Sequence, residues 1–179
     1  MAEPNLAQTA NEVPDNIATS VSQRLIDAAT VGDVPAMEQA LRDGAGADAR
    51  VLVDDEGGFK TDMHCAISAR SAGAVALLLR HGADPNLHGP MNPLGWSVRL
   101  CQLEMCTMLI DAGAHLRREA ENYRLMHDAL RSRSAVFVKL LLDAGAPMTN
   151  VPHLRKQLAD LARSSGDETL AQRIQDAPC

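Results

Sequence analysis

The sequence of 179 residues contains very few aromatic side chains. Phe59, Trp96, Tyr123 and Phe137 are the only four. Proteins that bind single-stranded nucleic acids stack bases on several aromatic rings of one surface, and the shortage of rings argues against that function. A core without large rings must be built from small elements that approach closely. The composition therefore favours many short helices over a β-sandwich or a β-barrel.

Signals for membranes and secretion are also missing. No apolar run approaches the roughly 18 residues that a transmembrane helix needs. The first 20 residues hold Glu3, Glu12 and Asp15 but no Lys or Arg, unlike a secretory signal peptide. The four cysteines lack the spacing of a disulfide framework. We therefore expect a cytoplasmic protein without a membrane segment, with residues 1–21 as a flexible N-terminal tail.

The balance of charge limits the partners. Hydrophobic residues make up 46% of the chain, which is enough to bury a core, and the formal net charge is −6. An acidic chain is repelled by a polyanion at long range. We expect a folded monomer that does not bind nucleic acid.

A leucine-rich segment that ends in Gly-Ala recurs four times, with its glycines separated by 38, 31 and 32 residues. Glycine just after a helix adopts the left-handed conformation at no steric cost. Sixteen residues before each glycine lies a small residue, and seven residues before it lies the apolar centre of a second helix. The small residues are Ala28, Ala66, Ser97 and Ala129, and the apolar residues are Met37, Val75, Cys106 and Val138. Each copy is thus predicted to be helix, tight turn, helix and connection.

The clearest copy runs Thr61-Asp62-Met63-His64-Cys65-Ala66 and later Leu78-Leu79-Arg80-His81-Gly82-Ala83. This pattern resembles the signature of the ankyrin repeat family, and the resemblance covers about residues 22–177. It implies an all-α, ankyrin-type helical repeat solenoid of about five helix-turn-helix units joined by hairpin-like loops. The predicted units are 22–52, 57–87, 88–118, 120–150 and 153–177. No unit can bury its apolar face alone, so stability must come from stacking.

Several residues have a predicted local role. Thr61 and Asn92 suit helix N-caps, Pro93 suits the first position of a helix, and the helix dipole favours Asp62 at such a position. The first connection is about five residues longer than the others. Residues 50–60 are predicted to form an extended finger with a Gly-Gly tip.

No set of residues specifies chemistry. His64 and His127 occupy one repeat position, where the family resemblance implies a structural hydrogen bond between units. No Cys or His pairs have zinc-site spacing, and no glycine-rich loop has the context of a phosphate site. Cys101 and Cys106 are expected to be core thiols. We therefore predict no catalytic residue, no metal and no cofactor.

The most useful signal is the placement of charge. In ankyrin-like arrays, the hairpin tips and the exposed ends of first helices line a concave groove. Several groove positions here are basic, and Arg binds carboxylates and phosphates with two parallel hydrogen bonds. The predicted partner-binding residues are Phe59, Lys60, Arg70, Met91, Trp96, Arg99, Tyr123, Arg131 and Arg133. The same arginines are equally well explained as ordinary solvated side chains.

The resemblance implies a non-catalytic protein–protein interaction module that binds a protein partner through its concave groove and hairpin fingers. An acidic or phosphorylated surface would suit the basic positions. Two alternatives stay open. One is an enzyme or small-molecule-binding accessory that uses the groove near Trp96 and Tyr123. The other is an effector or immunity-type inhibitor that acts by steric blocking.

Overall fold

The computed structural model describes residues 15–52, 59–87, 92–116 and 119–177, without the side chains of 15–19, 51–52, 59 and 119–123. These ranges contain ten helices and two short strands. In chain order they are α1 (Asp15–Val31), α2 (Val34–Arg42), β1 (Arg50–Leu52), β2 (Phe59–Thr61), α3 (Asp62–Ser68), α4 (Ala72–Arg80), α5 (Pro93–Arg99), α6 (Leu103–Asp111), α7 (Glu119–Arg131), α8 (Ala135–Asp143), α9 (Pro152–Ser164) and α10 (Glu168–Asp176). Within the described part of the chain, no helix is long and apolar enough to cross a membrane.

The helices form successive pairs that stack in a row. Each odd-numbered helix packs against the even-numbered helix that follows it. The first helices of the pairs also contact one another in order, from α1 to α3, α5, α7 and α9. The second helices α2, α4 and α6 form a parallel row behind them. This arrangement is a helical repeat solenoid, as the sequence predicted.

The first connection contains the predicted finger. Strands β1 and β2 pair antiparallel, with Arg50 opposite Thr61. The predicted Gly-Gly tip lies at 57–58, outside the described residues. The expectation of a hairpin between the first two helix pairs is confirmed at its base.

Helix starts and ends follow the predicted chemistry. The Oγ1 atom of Thr61 accepts a hydrogen bond from the amide of His64 (3.3 Å), and Oδ1 of Asn92 accepts one from the amide of Gly95 (2.6 Å). Pro93 is the first residue of α5. At the end of α2, the Gly44 and Ala45 amides donate to carbonyls of the last turn, and Gly44 has a φ of 101°. This is the Schellman geometry that a glycine permits.

Small side chains let neighbouring first helices approach closely. The position predicted to be small is buried in every pair of helices, at Ala28, Ala66, Ser97, Ala129 and Ala162. The centres of the second helices are also buried, at Met37, Val75, Cys106, Val138 and Ala171. The core is therefore one continuous apolar layer between the two rows of helices.

Polar side chains connect the loops of successive pairs. The amide of Asp84 donates to Oδ1 of Asp48, which belongs to the preceding connection (2.9 Å). The side chain of Asn86 donates to the carbonyl of Gly113 (3.2 Å) and accepts from the amide of His115 (2.7 Å). These bonds join the first connection to the second and the second connection to the third.

Three helices begin earlier than the predicted units. Helix α1 begins at Asp15, α7 at Glu119 and α9 at Pro152, against predicted starts of 22, 120 and 153. The predicted tail of residues 1–21 therefore overlaps the first helix, and Val21 is buried. Residues 1–14 lie outside the described part of the chain.

Candidate functional site

Trp96 is held between two neighbouring first helices. Its indole Nε1 donates a hydrogen bond to Oγ of Ser68 at the end of α3 (3.0 Å). The Ser68 hydroxyl in turn donates to the carbonyl of His64 (2.8 Å). The His64 ring lies 6.5 Å from the indole, measured between ring centroids. The partly exposed indole is therefore fixed in one orientation on the face formed by α3 and α5.

Arg99 lies beside this indole. Its guanidinium carbon is 5.9 Å from the centroid of the Trp96 ring, within the range of a cation–π interaction. The two residues are three positions apart on α5, which places them on one face of the helix. Two of the predicted partner-binding residues are thus brought together by the structure.

The other predicted residues are distributed along the same row of helices. Lys60 is exposed on β2, directly before the Thr61 cap. Arg70 and Arg133 are exposed in the turns that follow α3 and α7, and Arg131 is the exposed last residue of α7. We call Arg70, Arg99, Arg131 and Arg133 the basic row. Phe59 and Tyr123 have side chains outside the description, and Met91 lies outside the described residues.

The members of the basic row share a lack of ion pairs in the described part of the chain. Among the described residues, no ion pair involves Lys60 or any member of the basic row. Several other basic side chains are paired: Arg24 with Asp43, Arg42 with Glu38, Lys139 and Arg173 with Asp143, and Arg163 with Asp160 and Glu168. Arg80, Arg124 and Lys156 are also exposed and have no ion pair in the described ranges. The arginines of the basic row therefore have no neutralising carboxylate there.

Among the described side chains, the exposed charge on α3, α5 and α7 is of one sign, whereas the second helices carry both signs. On α3, α5, α7 and the turns that follow them, every exposed charged side chain that the structure describes is basic. Two acidic residues of these helices, Asp62 and Asp128, are buried instead. The second helices carry exposed acidic residues, including Glu104, Asp111 and Asp143. The described side chains of α3, α5 and α7 thus form a basic surface on an acidic chain, whereas α1 and α9 also carry exposed acidic residues, Asp27 and Asp160.

His64 has a structural environment. It is 3% exposed, and its Nδ1 lies 2.7 Å from Oγ1 of Thr61 at the start of the same helix. This bond lies within one repeat, so the hydrogen bond between units that the family resemblance implies for this position stays a prediction. Among the described residues, no group of three or more His, Cys, Asp or Glu side chains could hold a metal ion.

The two cysteines of the third pair have different environments. Cys106 is fully buried, and its Sγ lies 3.0 Å from Oγ of Ser97. The Ser97 hydroxyl donates to the carbonyl of Leu94, so the thiol is the donor toward Ser97. Burial raises the pKa of Cys106 to about 11. Cys101 is exposed in the turn after α5, so the expectation that it is a core thiol was wrong.

Cys101 should react with a thiol reagent in the native protein, whereas Cys65 and Cys106 should not. Only Cys101 among these three is exposed, and reaction requires an accessible thiolate. In a Cys179→Ser background, Ellman's reagent should modify a single thiol rapidly and the remaining two only on unfolding. Adding Cys101→Ser should remove the rapid phase, and a rapid phase that persists would contradict the assignment.

Two features of this region were not found from the sequence. The first is Ser68, which lies four residues after His64, the same register as Arg99 and Arg131 relative to their repeats. Its equivalence to these arginines could have indicated that it faces the same surface. The second is a cavity of about 460 Å³ between α1 and α2, lined in part by Ala28, Val31 and Gln39. None of the residues that line the cavity belongs to the predicted binding set.

Paired helices in a single stacked row define the protein as a helical repeat solenoid. The family model for ankyrin repeats (3 copies) matches residues 25–120 and 63–151, which together exceed half of the chain. The chain therefore belongs to the ankyrin repeat family, whose members are generally protein–protein interaction modules. No curated protein matches the chain.

Proposed function

We propose that this protein binds another protein through the basic row, Lys60 and Trp96, and that it acts by binding alone. The partner presents an acidic or phosphorylated surface to this face. The free thiols Cys65, Cys101 and Cys106 suit a reducing compartment, so we place the interaction in the cytoplasm, with a monomeric chain.

The observation that carries this proposal is the lack of neutralising carboxylates beside the basic row. The chain has 23 acidic residues and a net charge of −6, so carboxylates are plentiful. They pair with four arginines elsewhere on the surface, whereas the four arginines of the basic row have no ion pair in the described ranges. A face of one charge sign guides and orients a partner of the opposite sign.

Backbone strain at two members of the row supports the same conclusion. Arg70 and Arg133 have φ values of 57° and 54°, whereas Gly32 and Gly166 occupy the same turn in the first and last pairs. A residue with a Cβ atom costs about 1 kcal/mol or more in this conformation. A glycine at either position would relieve this backbone strain. The presence of arginine there is therefore consistent with a role in binding. Cys101 shares the conformation, so the turn itself accepts a side chain.

The small-molecule alternative has less support. The 460 Å³ cavity belongs to the first helix pair, and its lining residues come from α1, α2 and the turn between them. On the helices and turns near Trp96, the described arginines Arg70, Arg99 and Arg131 are exposed. Such a surface suits a macromolecule that spans several repeats.

Reversing two charges of the basic row should abolish partner capture. The double variant Arg99→Glu, Arg131→Glu replaces two unpaired guanidiniums with carboxylates, which would repel an acidic partner. We expect at least a tenfold loss in partner captured from native lysate, about 1.4 kcal/mol or more. The far-ultraviolet circular dichroism spectrum should stay helical.

A matched control keeps the change in net charge constant. Arg42→Glu with Arg80→Glu reverses two exposed arginines that are the last residues of α2 and α4. These lie on the second-helix row, so capture should remain at the wild-type level. Capture that survives the Arg99 and Arg131 reversal, or is lost equally in both variants, would refute binding through the basic row.

A further inference from the structure

Ser68 is the uncharged member of a repeat position that otherwise carries arginine. Ser68, Arg99 and Arg131 occupy this position near the ends of α3, α5 and α7. The Ser68 hydroxyl accepts the indole N–H of Trp96 at 3.0 Å. The same hydroxyl donates to the carbonyl of His64, so α3 itself sets its orientation. The uncharged position on α3 therefore holds the indole that projects from α5.

Arg99 lies beside this fixed indole. Its guanidinium carbon is 5.9 Å from the centroid of the Trp96 ring, and a cation–π contact restricts the side chain. Within the described ranges, no ring contact involves Arg70, Arg131 or Arg133. Ordering a flexible side chain on binding costs conformational entropy. Arg99 loses part of this freedom before a partner arrives, so it binds at a lower entropic cost than the other arginines of the row.

From these contacts we infer that Arg99 is the anchor of the binding surface, that it takes one carboxylate of the partner, and that Ser68 and Trp96 are positioning residues that act through it. By anchor we mean the side chain whose truncation weakens binding most. This inference rests on the proposed function and specifies which arginine dominates it. The interface residues whose truncation weakens binding most are enriched in Trp and Arg, in agreement with this assignment.

The charge of α5 favours a carboxylate over a phosphate at the anchor. Arg99 is the only charged residue between positions 92 and 102. A guanidinium offers two parallel hydrogen bonds to a carboxylate, and one cation matches its single negative charge. A phosphate group carries about −1.5 to −2, which exceeds the one cation that α5 supplies.

The test measures binding of a defined acidic probe to single variants. The probe is a fluorescein-labelled Gly/Ser peptide with four aspartates, and its anisotropy gives the affinity at low ionic strength. Ser68→Ala removes the acceptor of the indole N–H without changing any charge, and we expect roughly three- to tenfold weaker binding. Ser68→Thr keeps the hydroxyl and should bind as the wild type does.

A serine of the last helix pair provides the matched control. Ser164 holds the same repeat position on α9, and its hydroxyl donates only to the carbonyl of Leu161 among the described residues (2.8 Å). Ser164→Ala should therefore leave the affinity for the probe unchanged. A helical circular dichroism spectrum for each variant shows that the differences come from the binding surface.

A double-mutant cycle identifies the arginine through which Ser68 acts. In an Arg99→Ala background, Ser68→Ala should have no further effect on probe affinity. In an Arg131→Ala background, it should weaken binding by the same factor as in the wild type. Arg99→Ala alone should weaken binding more than Arg131→Ala. Trp96 is the only tryptophan, so its emission should change when the probe binds the wild type but not when the probe is added to Arg99→Ala.

Other outcomes would overturn the inference without touching the proposed function. Wild-type affinity of Ser68→Ala, an equal loss in both arginine backgrounds, or no binding of the probe to the wild type would refute the anchor. Equal binding of an asparagine probe, or a phosphoserine probe that binds more than about tenfold better, would refute the choice of a carboxylate. In each case the proposed function stands if the Arg99→Glu, Arg131→Glu reversal still abolishes partner capture.

Discussion

The free energy of unfolding should fall as the pH rises from about 4 to about 8, because Asp62 must then ionise inside the protein. Its side chain is fully buried at the base of the first finger. Burial raises its pKa from 3.8 to about 8, with a further contribution from the negative charge of Asp48. The amides of Met63 (2.7 Å) and Ala49 (3.1 Å) donate to its oxygens and partly oppose this rise.

The sign of the effect follows from proton binding. The folded state holds the Asp62 proton more tightly than the unfolded state, whose carboxyl has an ordinary pKa near 3.9. Below that value both states are protonated and the contribution to stability is fully present. It is lost as the pH rises through the folded pKa of about 8. A tenfold difference in proton affinity between the two states corresponds to about 1.36 kcal/mol, so the loss is on the order of 5 kcal/mol at most.

The variant Asp62→Asn should remove this pH dependence because an amide does not ionise. One amide oxygen replaces two acceptors, so the variant should be about 1–2 kcal/mol less stable than the wild type near pH 5. Near pH 9 the order should reverse, because only the wild type then carries a buried charge. Urea unfolding at a series of pH values measures both curves, which should cross.

A control separates Asp62 from the surface carboxylates. Hydrogen bonds from Arg173 and Lys139 lower the pKa of Asp143, so Asp143 affects stability only as the pH falls into the acid range. Asp143→Asn should therefore keep the wild-type decline between pH 5 and pH 8. Parallel curves for the wild type and Asp62→Asn would show that Asp62 stays charged in the folded protein.

The periodic features of the fold could be predicted because each depends on one local rule. A glycine ends the second helix wherever Gly-Ala recurs, and its positive φ at Gly44 and Gly82 confirms the reason. Thr61 and Asn92 cap their helices through side-chain oxygens, as their residue types indicated. The small residues repeat where first helices touch. Four copies of these signals in register left little freedom for another fold.

The features that the sequence did not predict depend on contacts between different parts of the chain, most of them between repeats. The helix dipole suggested a favourable position for Asp62, but its burial depends on Ala49, which lies 13 residues away. The indole of Trp96 is fixed by Ser68 of the preceding repeat, 28 residues earlier. The register placed Cys101 with apolar residues, yet it lies in an exposed turn. Pairing of surface charges also depends on neighbouring repeats, as for Arg173 and Asp143. A sequence pattern within one repeat does not show which residues of neighbouring repeats come into contact.

A second large effect is expected at Gly32, the turn between α1 and α2. Its φ of 71° lies in the left-handed region. A Cβ atom there would lie 2.9 Å from Cβ of Ser71 and 3.3 Å from its Oγ. Cβ of Ser71 is fixed by the backbone at the start of α4, where its hydroxyl accepts from the amide of Ala74 (3.2 Å). The turns of successive repeats therefore meet at a point with no room for a methyl group.

Gly32→Ala should destabilise the protein by about 2–4 kcal/mol, from about 1 kcal/mol of backbone strain and about 1–3 kcal/mol of overpacking. Gly166→Ala is the matched control, because Gly166 has a φ of 81° but nothing within 4 Å of the added atom. It should cost only the strain, about 1 kcal/mol. Chemical denaturation of both variants measures the difference, and equal losses would refute the close contact between turns.

A double-mutant cycle would test whether Ser71 causes the larger destabilisation by Gly32→Ala than by Gly166→Ala. Ser71→Gly removes the Cβ atom that the new methyl group would meet and costs only a few tenths of a kcal/mol as a helix cap. In that background, Gly32→Ala should cost no more than Gly166→Ala does, so the coupling energy should equal the overpacking of about 1–3 kcal/mol.

The turn between α3 and α4 carries Arg70 directly before Ser71, so the contact between Gly32 and Ser71 also positions the first arginine of the basic row. Gly32→Ala should therefore also weaken partner capture, and the double variant should restore it.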